Sequence, residues 1–402
     1  MSFRYPAGIN KPGFNPLAAG ADQYKGIWSL AGQANAKALA TWPVQPFQSA
    51  ELYTWGSNSV GQLGLGNTTS YSSPKQVGSL TTWKILPDNL DQNIRAIKAD
   101  GTLWSWGRND QGQLGLGNVT YYSSPKQVGA LTSWLSISGN YATTFAIKTD
   151  GTMWSWGSGS FGRLGLGNTT SYSSPKQIGA LTTWLKVSGG YSALAIKTNG
   201  TLWSWGRGFA GQLGNGSSLN VSSPVQVGAL TNWASVFVGS NTGMAIKTDG
   251  TLWSWGSNSY GQLGLGNTTH YSSPKQVGAL TTWSKASIFS ATGAIKTDGT
   301  LWTWGSGSNG KLGLGNNTYY SSPKQVGALT NWLTICSGRY NLASVKTDGT
   351  AWVWGDNRIG QLGLGNRTNY SSPKQVGSSS GWADLRIGGN ENVGSALGIA
   401  TA

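Results

Sequence analysis

Apolar and polar positions alternate along most of this chain in short bursts, with no sustained helical period. In residues 184–227, WLKVSGGYSALAIKTNGTLWSWGRGFAGQLGNGSSLNVSSPVQV, the run WLKV alternates, SGGY interrupts it, and ALAIK resumes an apolar face. Asn199-Gly200 tolerates positive φ and predicts a tight hairpin turn. TLWSWG then returns with Trp203 and Trp205 on one face, because strand side chains alternate with period two. GQLGNG reads as a compact glycine corner, and SPVQV as a proline-started strand suited to a sheet edge. The unit is therefore four short strands carrying a bulky aromatic face.

The same words recur. Trp-Gly strands end at Trp55, Trp106, Trp156, Trp205, Trp255, Trp304 and Trp354, in steps of 51, 50, 49, 50, 49 and 50 residues. One copy alone, WSWGSNSYGQLGLGN at residues 253–267, could pass for a phosphate-cradling loop. Such a loop opens onto a helix and ends in Lys-Ser/Thr, and this one does neither. A glycine corner repeated seven times at a period near fifty marks a propeller or array.

The ends of the repeat region complement each other. ELYTWG enters as a third-type strand with no first or second strand before it, whereas WADLRIGG and SALGIATA are first- and second-type strands with nothing after them. Pairing these halves predicts an all-β fold, a seven-bladed β-propeller over 51–402 closed by N- and C-terminal strands, after a mostly extended segment over 1–50. The units resemble repeats of the regulator of chromosome condensation family, with its Asp-Gly turn, Trp-Gly strand and GQLGLG corner. That resemblance implies the seven-bladed propeller. It does not carry over the exchange-factor activity of the family's nuclear founder.

Composition narrows the chemistry. Charged residues make up 10% of the 402, yet the formal net charge is +15. The repeat itself spreads this charge, through the SPKQ lysines (Lys75, Lys126, Lys176, Lys275, Lys324, Lys374) and the lysines before the Asp-Gly turns. A ring of surface lysines suits solvation or an acidic glycan, and argues against nucleic acid. One cysteine, Cys336, excludes an intramolecular disulfide. The single histidine, His270, has no nucleophile at fixed spacing, and no metal-ligand cluster appears. Non-enzymatic action without cofactor or metal is expected. No apolar run approaches a membrane span, and MSFRYPAGIN lacks a signal-peptide core.

Differences among near-identical copies point to candidate binding positions. The loop after the first strand carries Tyr141, Tyr191 and Tyr340, and the loop after Trp-Gly carries Phe161, Arg358 and Tyr260. Exposed aromatic rims of this kind suit saccharide or protein recognition.

Residues 1–48 belong to no repeat. Ile27, Trp28, Leu30, Leu39 and Trp42 cluster around SLAGQANAKALA, a candidate short helix, and need a partner to pack on. The segment resembles N-terminal stretches of tailed-bacteriophage virion and tail proteins, in which GIWSL…Q…A…WP recurs. That resemblance implies a phage structural protein made in the host cytoplasm, a tail fibre for host recognition or a decoration of the capsid exterior. It would be anchored to other virion proteins through 1–48, would meet a host glycan or protein at the rims, and could assemble as a homo-oligomer. The alternative is a microbial protein-binding scaffold or inhibitor outside any virion.

Overall fold

The computed structural model describes residues 50–79, 82–87, 90–140, 142–390 and 393–401, and the side chains of all of these except 389–390, 393–397 and 401. The candidate helix and the aromatic cluster from Ile27 to Trp42 lie outside the described residues.

Seven four-stranded antiparallel sheets form the fold. In blade 3 the strands are Trp184–Gly189, Ser192–Lys197, Leu202–Gly206 and Val221–Gln226, paired in chain order. Blade 1 begins at Trp83, blade 2 at Trp134, blade 4 at Trp233 and blade 5 at Trp283. Blade 6 runs from Cys336 to Gln375. Blade 7 joins the two ends of the chain in the order Tyr71–Gln76, Ala50–Gly56, Val393–Thr401, Trp382–Asn390. Its closing register runs from Ala50 opposite Thr401 to Gly56 opposite Ser395, as the two half-repeats require.

First strands lie innermost and are stitched to one another by side chains. Ser138, Ser188 and Ser287 each accept the backbone N–H of the next blade's inner strand, from Gly189, Val238 and Ser337 respectively. Cys336 occupies the same slot in blade 6, where its Sγ accepts from Ile387 N at 3.4 Å. The lone thiol is a buried strand-to-strand contact.

Between blades sits the tryptophan of each Trp-Gly step, which is the second of a Trp-x-Trp pair in six blades and follows Tyr53 in the blade of Trp55. All seven are fully buried, and each indole Nε1 donates to the glycine corner of the preceding blade: Trp106 to Gln62 O, Trp255 to Gln212 O, and Trp55 to Gln361 O across the closure. This contact explains the glycine of the Leu-Gly step. Gly264 has φ +75°, and a Cβ there would stand 2.6 Å from Trp304 Nε1, so a side chain would push the blades apart. The corner is an inter-blade clamp.

The first tryptophan of the pair does something else. Trp302 is half-buried, donates to Thr300 Oγ1, and carries Lys296 Nζ 3.8 Å from its ring centroid. Thr300 in turn donates to Asp298, and these bonds hold that carboxylate below its usual range. The pair therefore divides its labour between packing and turn-capping. The outer strand differs from expectation too: Pro74 lies inside Tyr71–Gln76, in an irregularity opposite Trp55 where no ladder N–H is needed.

Candidate functional site

In each blade the first-to-second and third-to-fourth strand connections emerge on one face of the ring, with the Asp-Gly turns on the other. Five of the seven glycine corners on the former face are capped by their own glutamine. Gln262 Oε1, for example, accepts the backbone N–H of Tyr260 at 2.9 Å, and Gln62, Gln113, Gln212 and Gln361 do the same. Two corners lack that acceptor because the slot holds a cation, Arg163 in blade 2 and Lys311 in blade 5. There the tip residues adopt left-handed backbone, Phe161 at φ 63° and Asn309 at φ 59°, a conformation that costs non-glycine residues energy.

The substituted side chains turn inward. Lys311 Nζ donates to Ser290 Oγ at 2.8 Å and to Arg339 O at 3.2 Å, so the corner of blade 5 is tied to a loop of blade 6. Burial, reinforced by the Arg339 guanidinium, pushes the Lys311 ammonium down to about 8. Arg163 donates to Ser158 Oγ, and burial lowers it to about 10, with Arg207 adding to the effect and Tyr191 opposing it.

A cavity of about 550 Å³ opens on this face across blades 3 to 6. Arg207, Lys311 and Arg339 line it, no aspartate or glutamate does among the described residues, and its walls include Tyr191, Tyr260, Tyr319 and Tyr340. Tyr260 and Tyr319 meet edge to face at 5.9 Å. The Arg207 guanidinium lies 3.8 Å from the Phe209 ring centroid and 5.0 Å from that of Tyr191. Three orphaned atoms belong to its lining residues: Arg207 Nε, Asn241 Oδ1 and Thr242 Oγ1 are buried with no hydrogen-bond partner. The Thr242 hydroxyl shares its orphaned state with Thr143 and Ser192 at the same position of blades 2 and 3, so that feature belongs to the repeat rather than to this cavity.

Of the positions read from the sequence, Tyr191, Tyr260 and Tyr340 come together in this cavity. Phe161 stands at its edge, 5.2 Å from the Arg207 guanidinium. Arg358 is not in the lining: Asp356, two residues earlier, holds it at 2.8 Å. Tyr141 lies outside the described residues. Arg207, Lys311, Arg339 and Tyr319 were missed, although Lys311 breaks the corner glutamine pattern in plain view.

The two residues considered for enzymatic chemistry have structural contacts. His270 Nδ1 accepts Asn258 N at 2.7 Å, the same loop-closing bond that Ser70, Ser171 and Asn369 make in other copies. Cys336 stitches inner strands. Among the described residues no group of three or more His, Cys, Asp or Glu is placed to hold a metal, and no helix is long and apolar enough to cross a membrane.

The profile described as "Regulator of chromosome condensation (RCC1) repeat" matches residues 49–86, 100–147, 150–195, 199–246, 249–288, 298–345 and 348–390. Among curated proteins, 84 residues are 43% identical to a bifunctional serine/threonine-protein kinase/NEDD4-like E3 ubiquitin-protein ligase of Dictyostelium discoideum, covering 19% of this chain and 4% of that protein. A stretch of 92 residues is 36% identical to the human X-linked retinitis pigmentosa GTPase regulator, covering 22% of this chain and 9% of that one. These matches span less than a tenth of the relatives' length. Human WBSCR16 superposes with a TM-score of 0.77 at 21% identity, over 88% of this chain and all of that one. Prp20p of Saccharomyces cerevisiae, described with its binding to Gsp1p and histones, does so at 0.77 and 18%, over 89% and 93%.

These matches correct the functional expectation. The relatives are cellular proteins of the regulator type, so the phage reading falls: virion structural protein, tail fibre, host recognition, capsid decoration and virion localisation alike. The N-terminal resemblance, limited to some forty residues, outweighed repeats that span the rest of the chain. Virion partners for residues 1–48 fall with it.

Proposed function

The chain belongs to the regulator of chromosome condensation (RCC1) repeat family, and from that premise we propose that its propeller is a non-catalytic protein-binding scaffold that docks an acidic segment of a partner on the loop face of blades 3 to 6. One observation carries the reading: among the described residues the cavity there gathers three cations and four tyrosines. Tyrosine and arginine dominate protein recognition because they combine flat apolar contact with directional hydrogen bonds. That yeast Prp20p is described with its binding to Gsp1p and histones supports a protein, rather than a small metabolite, as the partner. We place the domain boundary near residue 50, with the propeller over 51–402 as the binding unit.

The test is fluorescence anisotropy of a labelled Glu/Tyr/Gly peptide and its Gln/Tyr/Gly counterpart, titrated with the full chain at low and high salt. The acidic peptide should bind more tightly, salt should weaken it, and Arg207→Gln with Arg339→Gln should remove the difference. Equal binding of both peptides to the parent chain would end this reading.

A further inference from the structure

We infer that the groove between blades 6 and 7 is a binding site for a lysine side chain of a partner protein, whose ammonium it holds against Tyr53, Trp382 and Glu51. This groove shares no lining residue with the loop-face cavity, and the inference does not depend on how that cavity is read.

The propeller itself shows what such a groove holds. In six blades the lysine that ends the second strand stands opposite the first-strand tryptophan, as Lys98 does to Trp83, Lys197 to Trp184 and Lys296 to Trp283. All six ammonium groups lie 3.5–3.9 Å from the ring centroid of the half-buried third-strand tryptophan. They lie 4.7–5.3 Å from that of the first-strand tryptophan. Ring quadrupoles attract a cation placed this way, more strongly as water is excluded. Six times the chain fills this position with its own lysine.

Blade 7 keeps the walls and changes the occupant. Ala400 stands opposite Trp382 and Glu51, where Lys296 of blade 5 stands opposite Trp283 and bonds Thr300. Tyr53 takes the place of Trp302 and meets Trp382 edge to face at 5.6 Å, against 6.4 Å for Trp283 and Trp302. The blade 5 groove, lined by Lys296, encloses about 410 Å³, and the blade 7 groove, lined by Ala400, about 550 Å³. Truncating lysine to alanine has left room for a side chain between the same two rings.

Charge is the second, independent observation. In five of the six lysine blades an aspartate follows two residues on and offsets the ammonium. Blade 7 has a carboxylate without that ammonium. Glu51 occupies the threonine slot, and Tyr53 Oη donates to its Oε2 at 2.6 Å, as Trp302 Nε1 donates to Thr300 Oγ1. Among the described residues no lysine or arginine forms an ion pair with Glu51. The exchange of a hydroxyl for a carboxylate puts a negative charge beside two aromatic faces, which suits a primary ammonium. Pro74 and Leu364 add apolar wall for the methylene stem. The lining also includes Ser378 and Ser379, both exposed, so a side chain reaches the groove from solvent. A protein-borne lysine covers that whole path, whereas a free amine covers only its inner end.

Isothermal titration of the full chain tests this with four probes: a glycine/serine peptide with one central lysine, its acetyl-lysine form, its norleucine form, and n-butylammonium. The lysine peptide should bind at least about tenfold more tightly than the acetyl-lysine and norleucine forms, since a desolvated cation–π contact and a charge-assisted bond to Glu51 are together worth that much. Ala400→Lys supplies the ammonium from the chain itself, as in the other blades, and should abolish the preference. Glu51→Gln keeps an acceptor for Tyr53 but loses the charge, and should remove most of it. Lys176→Gln, on the outer strand of blade 2, should change nothing. Equal affinity for the lysine and norleucine peptides would overturn the ammonium assignment. An Ala400→Lys protein with the parent's circular dichroism spectrum and an undiminished preference would overturn the location. Binding of n-butylammonium as tight as that of the lysine peptide would overturn the protein-borne source. Should Ala400→Lys fail to fold, Glu51→Gln decides the location alone.

Discussion

Removing one inter-blade tryptophan measures how the ring is held together. Trp205 is the choice because it lies far from the closure. Its side chain is fully buried, meets Phe145 edge to face at 5.8 Å and Trp184 at 6.2 Å, and donates to Arg163 O at 3.1 Å. Trp205→Ala removes this volume where the glycine corner cannot follow, since Gly165 already stands against the ring. Large-to-small changes of aromatic residues in cores cost about 3–5 kcal/mol, and a stranded buried carbonyl adds roughly 1–3. With partial relaxation the sum is about 5 kcal/mol. For a unit of about 350 residues the unfolding entropy is roughly 0.7 kcal/mol/K, so differential scanning calorimetry should show Tm falling by about 7 °C. Trp205→Phe, which keeps apolar bulk and loses the donor, should show less than half that loss. Trp203→Ala should also cost less, because Trp203 is half-buried and caps a turn through Thr201. A Trp205→Ala protein that melts within a degree of the parent would refute the clamp, and so would a larger loss from Trp203→Ala.

Further outcomes follow from the same structure. Deleting residues 395–402 removes the strand paired along Ala50–Gly56, so the ring should open and lose cooperativity in the calorimetric transition; an unchanged melting curve would contradict the closure. Gly264→Ala places a Cβ 2.6 Å from Trp304 Nε1 at a φ of +75° and should destabilise by about 2–4 kcal/mol, read by urea unfolding. Lys311→Gln should stabilise by about 1–2 kcal/mol at pH 7, because it restores the corner cap and relieves the backbone at Asn309. The Lys311 pKa lies below its ordinary 10.5, near 8, so the unfolded chain binds the extra proton between those values. Stability of the parent should therefore rise relative to Lys311→Gln as pH climbs from 8 to 10.5, and be lower by a constant amount below 8. Arg339, Tyr340, Tyr319 and Arg207 share that cavity and are present in both proteins, so the difference isolates Lys311.

The propeller was legible because its physics is written seven times. A tryptophan every fifty residues, a glycine corner behind it and a half-unit at each end leave little freedom in how the sheets close. What the repeat period could not reveal is which copies become neighbours across a loop face. Tyr191, Tyr260 and Tyr340 belong to different units and meet only once the ring curves. Attention to the drifting tip residues also hid the better signal, the change in an otherwise fixed slot. Gln62, Gln113, Gln212, Gln262 and Gln361 are structural caps, so Arg163 and Lys311 were the informative departures. Arg358 misled for the opposite reason: its partner Asp356 is adjacent in sequence and neutralises it. The N-terminal stretch holds some forty residues, whereas the repeats run over most of the chain and carry the family.

A ring of identical blades has no preferred direction around its axis, and a ligand would meet seven equivalent grooves. Specific recognition therefore needs the symmetry broken at few positions and at tolerable cost. Here the clamp tryptophans, inner-strand links and Asp-Thr-Trp turns stay nearly uniform, while the departures gather on one face. Cations replace caps in blades 2 and 5, Arg207 follows Trp-Gly in blade 3, and Arg339 follows the inner strand in blade 6. Each departure touches a loop, where backbone can adjust, and none touches the tryptophan clamps. Two tip residues in left-handed backbone are a local burden of a few kcal/mol at most. The closed ring, whose inner strands are stitched to one another by side chains, tolerates that burden without opening. Rigidity supplied seven times over is what permits a strained trough to stay preorganised in the absence of its partner.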